Sequence, residues 1–378
     1  MTSTVTRPSA PAIREAGPSD RPRRKPRFDR DRVKVTAACA VSSFALVWVV
    51  YYRLTPASGP LGFVLCWYGA FLVTSWLVVR ETEGRLAATD RTMTLAISSV
   101  SVVLILALAF ILGEVVAKGL PTLRPGFFTH TMKGVGPLDK ATKGGAFHSI
   151  IGTLEEVGLA ALVSVPLGVL TAVYLNEIGG RLTRPVRMFV DAMSGIPSIL
   201  CGLFIYAVWV LPHFGFSGWA AAMALSILML PTVTRTSTEV LRLVPGGLRE
   251  ASLAAGASEW RTTWNVVLPT ARSGLVTAVL LGIARAVGDT AALIATAAGF
   301  DSLNANPFHG QQDSLPLFVY KQVRTGLIDA QTQRAWTGAL VLVALVLLIF
   351  TAARIVSRPP RARRRTVAVL PIAEVESS

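Results

Sequence analysis

The stretch GGLREASLAAGASEWRTTWNVVLP, residues 246–269, is a polar segment between two long apolar runs. Residues 248–255 are strong helix formers, and Gly256 suits a helix end that requires a positive φ. Ser258 can cap a second short helix, and Pro269 stands where the next apolar run begins. The segment therefore predicts a helix-turn-helix whose small side chains permit close approach by another chain.

The apolar runs around this segment predict a membrane protein. Of the 378 residues, 52% are hydrophobic and 16% are charged, and the mean hydropathy is +0.53. About 20 apolar residues cross a bilayer as a helix, and the range begins near 17. The predicted fold class is an all-α polytopic membrane protein. The candidate spans lie at residues 35–52, 61–79, 93–116, 150–175, 188–211, 218–234, 270–298 and 335–356.

The net charge of +15 is distributed as membrane topology requires. With a cytoplasmic N-terminus, 27 of the 37 lysines and arginines fall on the inner side and nine on the outer side. Nucleic-acid binding requires a concentrated basic face, so no nucleic-acid partner is expected. Both termini are predicted to be cytoplasmic, and the basic tails are predicted to contact anionic membrane lipids. Residues 1–34 are predicted to be disordered, and residues 357–378 to form a cytoplasmic tail.

Two kinds of site are not expected in this chain. Cys39, Cys66 and Cys201 fall inside apolar runs, and the four histidines lack ligand spacing, so no metal site is predicted. The phosphate-binding pattern G-x-x-x-x-G-K-[ST] does not occur in the sequence. The chain is therefore not expected to hydrolyse ATP or to be an enzyme.

The polar segment resembles the EAA motif of ABC importer permeases. That motif has Glu-Ala-Ala, then a glycine, an aliphatic residue and Leu-Pro at fixed spacings. Serine replaces the third small residue here, and the other positions agree. The resemblance implies that residues 246–267 dock into a separate ATP-hydrolysing subunit. A hairpin lying on the membrane surface is the alternative. The matching residues are Glu250, Ala251, Ser252, Gly256, Val266, Leu268 and Pro269.

The region from Phe147 to Arg354 resembles the PstA-type permease family of phosphate ABC transporters. The resemblance implies a type I ABC importer (MetI-like) permease with six core transmembrane helices in residues 93–356, so residues 35–80 form an extra transmembrane hairpin. It also implies a bacterial cell membrane location and three partners: a PstC-like second permease, a PstB-like ATPase dimer and a PstS-like phosphate-binding protein. The chain itself would bind no cofactor, because ATP and Mg are used by the ATPase. The matching segments are residues 148–177, 195–204, 229–252 and 271–293.

Five polar residues are the candidates for the path of the anion. Arg285 is the one basic residue inside a predicted span, and arginine binds phosphate through two parallel hydrogen bonds without losing its charge. Asp289 follows four residues later and is expected to pair with it on one helix face. Arg235 and Glu239 repeat this spacing at the inner end of the preceding span, and Ser198 offers a hydroxyl donor.

Several alternatives remain open from the residues. The pair Arg285–Asp289 could serve helix packing alone, and Arg235 could be an ordinary residue of the positive-inside pattern. The chain reads Gly-Asp-Thr-Ala-Ala at 288–292 where the family has Gly-Glu-Thr-Ala-Pro, and the missing proline predicts a straighter helix. The alternative functions are a permease for molybdate or sulfate, a transporter driven by an ion gradient, and a membrane-bound signalling partner.

Overall fold

A computed structural model describes residues 30–54, 59–324 and 328–356. Within these residues the regular elements are helices, and the β contact recorded is an isolated bridge between Ala298 and Gln312. Most of the predicted N-terminal tail and all of the predicted C-terminal tail lie outside the described residues. The chain divides into two compact units, one up to Ala109 and one from Phe110.

The first unit contains a pair of packed helices. Helix α1 (Arg30–Val49) ends in a π-helical turn (Val50–Leu54), and α2 (Pro60–Glu83) follows. The two helices pack through aromatic contacts, with Phe44 and Trp67 at 5.7 Å, and the Trp67 indole donates a hydrogen bond to a carbonyl of α1 at 3.2 Å. This pair coincides with the hairpin predicted at residues 35–80.

The second unit begins within the long helix α3 (Arg85–Gly119) and continues with ten further α-helices among the described residues. They are α4 (Phe147–Val173), α5 (Thr183–Ser194), α6 (Ser198–Ile205), α7 (Gly218–Arg242), α8 (Gly246–Ala254), α9 (Glu259–Thr262), α10 (Leu268–Val287), α11 (Ala291–Thr296), α12 (Leu315–Arg324) and α13 (Asp329–Val356). π-Helical turns extend α4 to Ile178 and α6 to Phe214, and another joins α9 to α10.

Helix α7 is the centre of the second unit. It packs against α4 and α10, and its alanine-rich first half is buried from Ala220 to Leu225 except at Met223, which is partly buried. Small residues let membrane helices approach closely. A Cβ atom at Gly168 of α4 would lie 2.9 Å from the Cγ1 atom of Val233, so only glycine fits at this crossing. Helices α4 and α7 are therefore held together by close packing.

Seven of the eight predicted spans coincide with helices that could cross a membrane, if one bent pair counts as a span. Within the three described ranges, six helical segments are long and apolar enough to cross a membrane, and a seventh span results if α5 and α6, which meet at 103°, count as one. Helix α7 is not in that set, although its 25 residues cover the predicted run 218–234. Its second half is polar, with a charged residue at three positions.

One expectation about the last third of the chain is wrong. The run 270–298 is not one straight helix, because α10 ends at Val287 and the backbone is irregular from Gly288 to Thr290 before α11 begins. The missing proline therefore does not keep the helix continuous, since a new helix cap forms there instead. Between the predicted spans 270–298 and 335–356, the chain forms α12, whose first four residues are buried in the unit.

Candidate functional site

The polar connection has the predicted helix-turn-helix form. Helix α8 ends at Ala254, and Gly256 has φ +84°, as predicted for the turn. The Ser258 side chain accepts a hydrogen bond from the N–H of Arg261 at 3.4 Å, so the predicted cap of α9 is also present. The hydroxyl groups of Ser252 and Thr262 lie 2.8 Å apart and join α8 to α9. The two helices therefore form a braced unit.

This connection presents an exposed surface. No residue of α8 is buried, and the side chains of Glu250 and Ala251 are among those that face outward. Leu253 and Trp260 are also exposed, and the Trp260 ring contacts that of Trp264 at 5.3 Å. Apolar side chains exposed beside charged ones are typical of a protein contact surface. Leu268 and Pro269 form the first turn of α10, where the missing N–H of proline costs little.

Arg249 forms a contact that the sequence analysis missed. Its Nε and Nη2 atoms donate hydrogen bonds to the two carboxylate oxygens of Glu177, at 3.0 and 2.8 Å. The Glu177 carboxylate raises the pKa of the Arg249 guanidinium group. No spacing rule connects these residues, because they are 72 positions apart. The sequence indicated this contact only in that Glu177 follows one predicted span and Arg249 lies in the polar segment 246–269.

Arg285 lies in the last turn of α10, not in the middle of a continuous span. Its side chain is exposed, and it has no hydrogen bond or ion pair with any residue in the described part of the chain. Asp289 instead accepts a hydrogen bond from the N–H of Ala292 at 2.9 Å and caps α11. The predicted pair is not formed, because the helix ends between the two residues.

Helix α6 lies beside this break. It packs directly on α11, and a Cβ atom at Gly202 would lie 2.7 Å from the Cα atom of Ala292. Ser198 begins α6 and is half-buried. The helix that begins at Ser198 thus contacts the helix that follows the break between the two charged residues.

Arg235 and Glu239 lie at a different place, and they do not pair with each other. Arg235 pairs with Asp191 of α5, with Nε and Oδ1 at 3.6 Å, and Glu239 pairs with Arg242 at 3.2 Å. The i, i+4 spacing predicted that Arg235 would pair with Glu239. Asp191 and Arg242 are within ion-pair distance and are the partners instead. These four side chains surround a cavity.

The cavity lies between the end of α4, α5 and the second half of α7. It has a volume of about 210 Å³, and Arg187 and Thr234 also line it. The Thr234 Oγ1 atom is buried and has no hydrogen-bond partner. Three arginines and two carboxylates surround this space, so the cavity is positively charged overall and is suited to an anion.

A buried ionic cluster fixes the segment before α12. The Asp313 carboxylate accepts a hydrogen bond from the Ser149 hydroxyl at 2.6 Å and pairs with the Lys321 ammonium group at 3.1 Å. Lys321 also pairs with Asp301 at 2.9 Å. Burial lowers the pKa of Lys321, but the two carboxylates outweigh burial and raise it. Among the described residues, no group of three or more histidine, cysteine or acidic side chains could hold a metal ion.

Comparison with known proteins identifies the family. Residues 164–361 match the family described as "Binding-protein-dependent transport system inner membrane component". The chain is 42% identical over 268 residues to the phosphate transport system permease protein PstA 1 of Mycobacterium tuberculosis, covering 70% of this chain and 86% of that protein. It is 36% identical to the phosphate transport system permease protein PstA of Haemophilus influenzae, covering 70% of this chain and 93% of the relative.

A solved structure is also similar. The methionine ABC transporter MetNI, in an inward-facing conformation, contains a chain that is 26% identical, with a TM-score of 0.45 and coverage of 56% of this chain and 93% of that chain. The curated relatives are transport permeases, and permeases of this class work with ATPase and substrate-binding subunits. The predicted fold class, a polytopic helical permease of the type I ABC importer kind, is confirmed. The chain belongs to the binding-protein-dependent transport system inner membrane components, and among them to the PstA-type permeases.

Proposed function

We propose that this chain is the membrane permease subunit of an ATP-driven phosphate importer in a bacterial cell membrane. The observation that carries the proposal is the 42% identity, over 268 residues, to a relative named as a phosphate transport system permease. A PstC-like second permease would form the other half of the path. Both termini of this chain, Gly246–Val267 and residues 80–92 would face the cytoplasm, in agreement with the positive-inside pattern.

Arg285 is the residue proposed to conduct the anion. Phosphate carries one to two negative charges, and a guanidinium group binds it with two parallel hydrogen bonds. The Arg285 side chain is exposed on this chain and is not neutralised by a carboxylate of the described residues. An arginine facing lipid would be costly, so its exposed side chain supports a position on the path between two permeases. Asp289 and Ser198 are proposed to shape this position through α11 and α6.

The cavity at α5 and α7 is proposed as the inner part of the path. Arg235 and Arg187 supply positive charge there. The carboxylates of Asp191 and Glu239 reduce the net charge of the cavity. Conduction requires binding strong enough for entry and weak enough for release, and paired arginines meet both conditions.

The braced unit of α8 and α9 is proposed to dock into a PstB-like ATPase dimer. Glu250, Ala251 and Ser252 lie on α8, Gly256 forms the turn, and Leu268–Pro269 starts the helix that leads back into the membrane. ATP and Mg would be bound by the ATPase, not by this chain. A PstS-like binding protein would deliver phosphate on the opposite side.

Reconstitution of the whole complex tests the proposal. Proteoliposomes that contain both permeases and the ATPase, with the binding protein on the delivery side, should move labelled phosphate only when ATP is hydrolysed. Excess molybdate or sulfate should not compete. Transport of molybdate or sulfate in place of phosphate would assign another oxyanion. Phosphate movement driven by an ion gradient without ATP would show a secondary transporter.

A further inference from the structure

Helix α8 is not held in place by buried apolar side chains. None of its nine residues is buried, so the packing of apolar side chains does not set its direction. The Ser252–Thr262 contact joins α8 to α9, which continues into α10. The direction of α8 relative to α4 and α7 must therefore come from other polar contacts.

Arg249 supplies those contacts. Besides its two hydrogen bonds to Glu177, its Nη1 atom donates to the carbonyl of Val244 at 2.7 Å, and its Nη2 atom donates to the carbonyl of Leu241 at 3.0 Å. Leu241 lies in the last turn of α7 and Val244 lies two residues beyond the helix, where the helix dipole favours a cation. One side chain of α8 thus binds the ends of both α4 and α7.

The Glu177 side of the contact is well ordered by its surroundings. Glu177 lies in the π-helical turn that ends α4, and Asn176 donates a hydrogen bond to its Oε1 atom at 2.6 Å. Its side chain is 8% exposed, and the Arg249 side chain is 25% exposed. A carboxylate this sheltered from water depends on its partner much more than a surface carboxylate does. Two parallel hydrogen bonds also fix the angle between the groups.

The two helices that Arg249 reaches are themselves held together. Gly168 of α4 packs directly on Val233 of α7, and the Ser226 hydroxyl donates a hydrogen bond to the Ala160 carbonyl at 3.3 Å. Helix α7 also carries Arg235 at the inner cavity. A displacement of α8 that keeps the Arg249 contacts must therefore move the inner ends of α4 and α7 together.

We propose that Arg249 and Glu177 are the positioning pair that transmits movement of α8 to α4 and α7. The inference rests on the proposed function, in which α8 docks on an ATPase. Neither residue contacts the anion. The pair acts through the direction of α8, so its loss uncouples ATP hydrolysis from transport without removing the surface on which the ATPase docks.

The test uses the complete transporter in proteoliposomes, with labelled phosphate transported and ATP hydrolysed measured in the same sample. The variants are Arg249→Met, Glu177→Gln, Arg249→Lys and the double exchange Arg249→Glu/Glu177→Arg. Arg181→Met is the matched control, because Arg181 is exposed near the end of α4 and has no hydrogen bond or ion pair among the described residues. Co-purification measures assembly with the ATPase.

Arg249→Met and Glu177→Gln should assemble normally and hydrolyse ATP, but the phosphate moved per ATP should fall at least tenfold. Arg249→Lys should lie between these variants and the wild type, and the double exchange should recover part of the ratio. A normal ratio in Arg249→Met would overturn the inference. So would a loss of all four variants from the membrane while Arg181→Met accumulates, because the pair would then serve folding alone. If the wild-type complex itself moves no phosphate, the proposed function fails instead.

Discussion

The Asp289 carboxylate accepts a hydrogen bond from the backbone N–H of Ala292 at 2.9 Å and caps α11. It therefore holds the chain at the point where α10 ends, and Arg285 is left without an acidic partner among the described residues. A side chain that caps a helix can be replaced by another capping residue, whereas one needed for its charge cannot. The two roles are thus separable by substitution.

Asp289→Asn should retain most phosphate uptake, because asparagine caps helices about as well as aspartate. Asp289→Ala should remove the cap, at a cost of about 0.5–2 kcal/mol in local stability, and should lower uptake further. Uptake and expression of the two variants, compared at equal membrane level, check this. Equal loss of uptake in both variants would show that the negative charge of Asp289 is required, and that capping of α11 does not explain its role.

Arg285→Gln should abolish phosphate uptake while the complex still assembles with its ATPase. An uncharged side chain can fill the space but cannot bind the anion through a guanidinium group. Arg285→Lys should keep partial activity, because the charge remains and the two-point contact is lost. Arg181→Gln is the matched control and should transport normally. If Arg285→Gln transports at the wild-type rate with normal expression, Arg285 is not on the path.

Gly256→Val should leave the protein inserted but uncouple it. The φ of Gly256 is +84°, and a Cβ atom there would meet no other atom within 4 Å, so the backbone angle alone opposes the substitution. A left-handed residue with a Cβ costs roughly 1–2 kcal/mol, and β-branched residues are disfavoured most. Gly256→Asn should be tolerated better, because asparagine adopts this angle more readily.

The control for the two Gly256 variants is Gly69→Val. Gly69 lies in α2 without a positive φ, and a Cβ atom there would also meet no other atom within 4 Å. Membrane level, co-purification of the ATPase and phosphate uptake are the measurements. Normal uptake by Gly256→Val would remove the support for a required turn. Failure of the variant to insert would show a folding role rather than a coupling one.

The orientation of the chain can be measured with single cysteines. In a background with Cys39, Cys66 and Cys201 replaced by alanine, Leu138→Cys should react with an impermeant maleimide in intact cells. Leu243→Cys should react only after permeabilisation. Both native leucines are more than 80% exposed, so access to the reagent depends on the side of the membrane. Labelling of position 243 in intact cells contradicts the proposed orientation.

Lys321→Met should destabilise the protein, because it removes the ammonium group that pairs with the Asp313 carboxylate, whose side chain is 0% exposed. Breaking a buried pair in this way costs about 3–5 kcal/mol. Lys133→Met should have little effect, because Lys133 is exposed and has no ion pair among the described residues. The melting temperature of the purified complex is the measurement. Equal melting temperatures for the two variants would count against the buried pair.

The pH dependence of this cluster follows from the raised pKa of Lys321. A raised folded pKa gives stability that is fully present below the unfolded value, about 10.4 for lysine, and that is lost as the pH rises through the folded value. The difference in melting temperature between the wild type and Lys321→Met should therefore stay constant from pH 7 to pH 9. A difference that falls within this range would show that Lys321 is not the cation of the cluster.

The local features of the site could be predicted from the sequence, and the distant pairings could not. The positive φ of Gly256 and the cap by Ser258 depend on a few neighbouring residues, and both are present. The Arg249–Glu177 contact joins residues 72 positions apart, and the Ser149–Asp313 contact joins residues 164 positions apart. Such pairs depend on how the helices pack, which hydrophobic patterns do not specify.

The errors in the predicted site have a common cause. Spacing of four residues predicts a pair only if the helix continues and if no better partner lies nearby. The helix ends between Arg285 and Asp289, and Arg235 meets Asp191 of another helix. Helix α12 was missed because its ten residues are too short and too polar to suggest a span.

The contact between Gly202 and Ala292 has a mechanical consequence for the two interrupted helices. Helix α6 follows the bend after Ser194, and α11 follows the irregular residues after Val287, so each begins directly after a break in a helix. Since the backbones touch where no side chain fits, neither short helix can rotate alone without lifting off the other. A rotation of α6 about its break therefore requires a movement of α11, and a rotation of α11 requires a movement of α6.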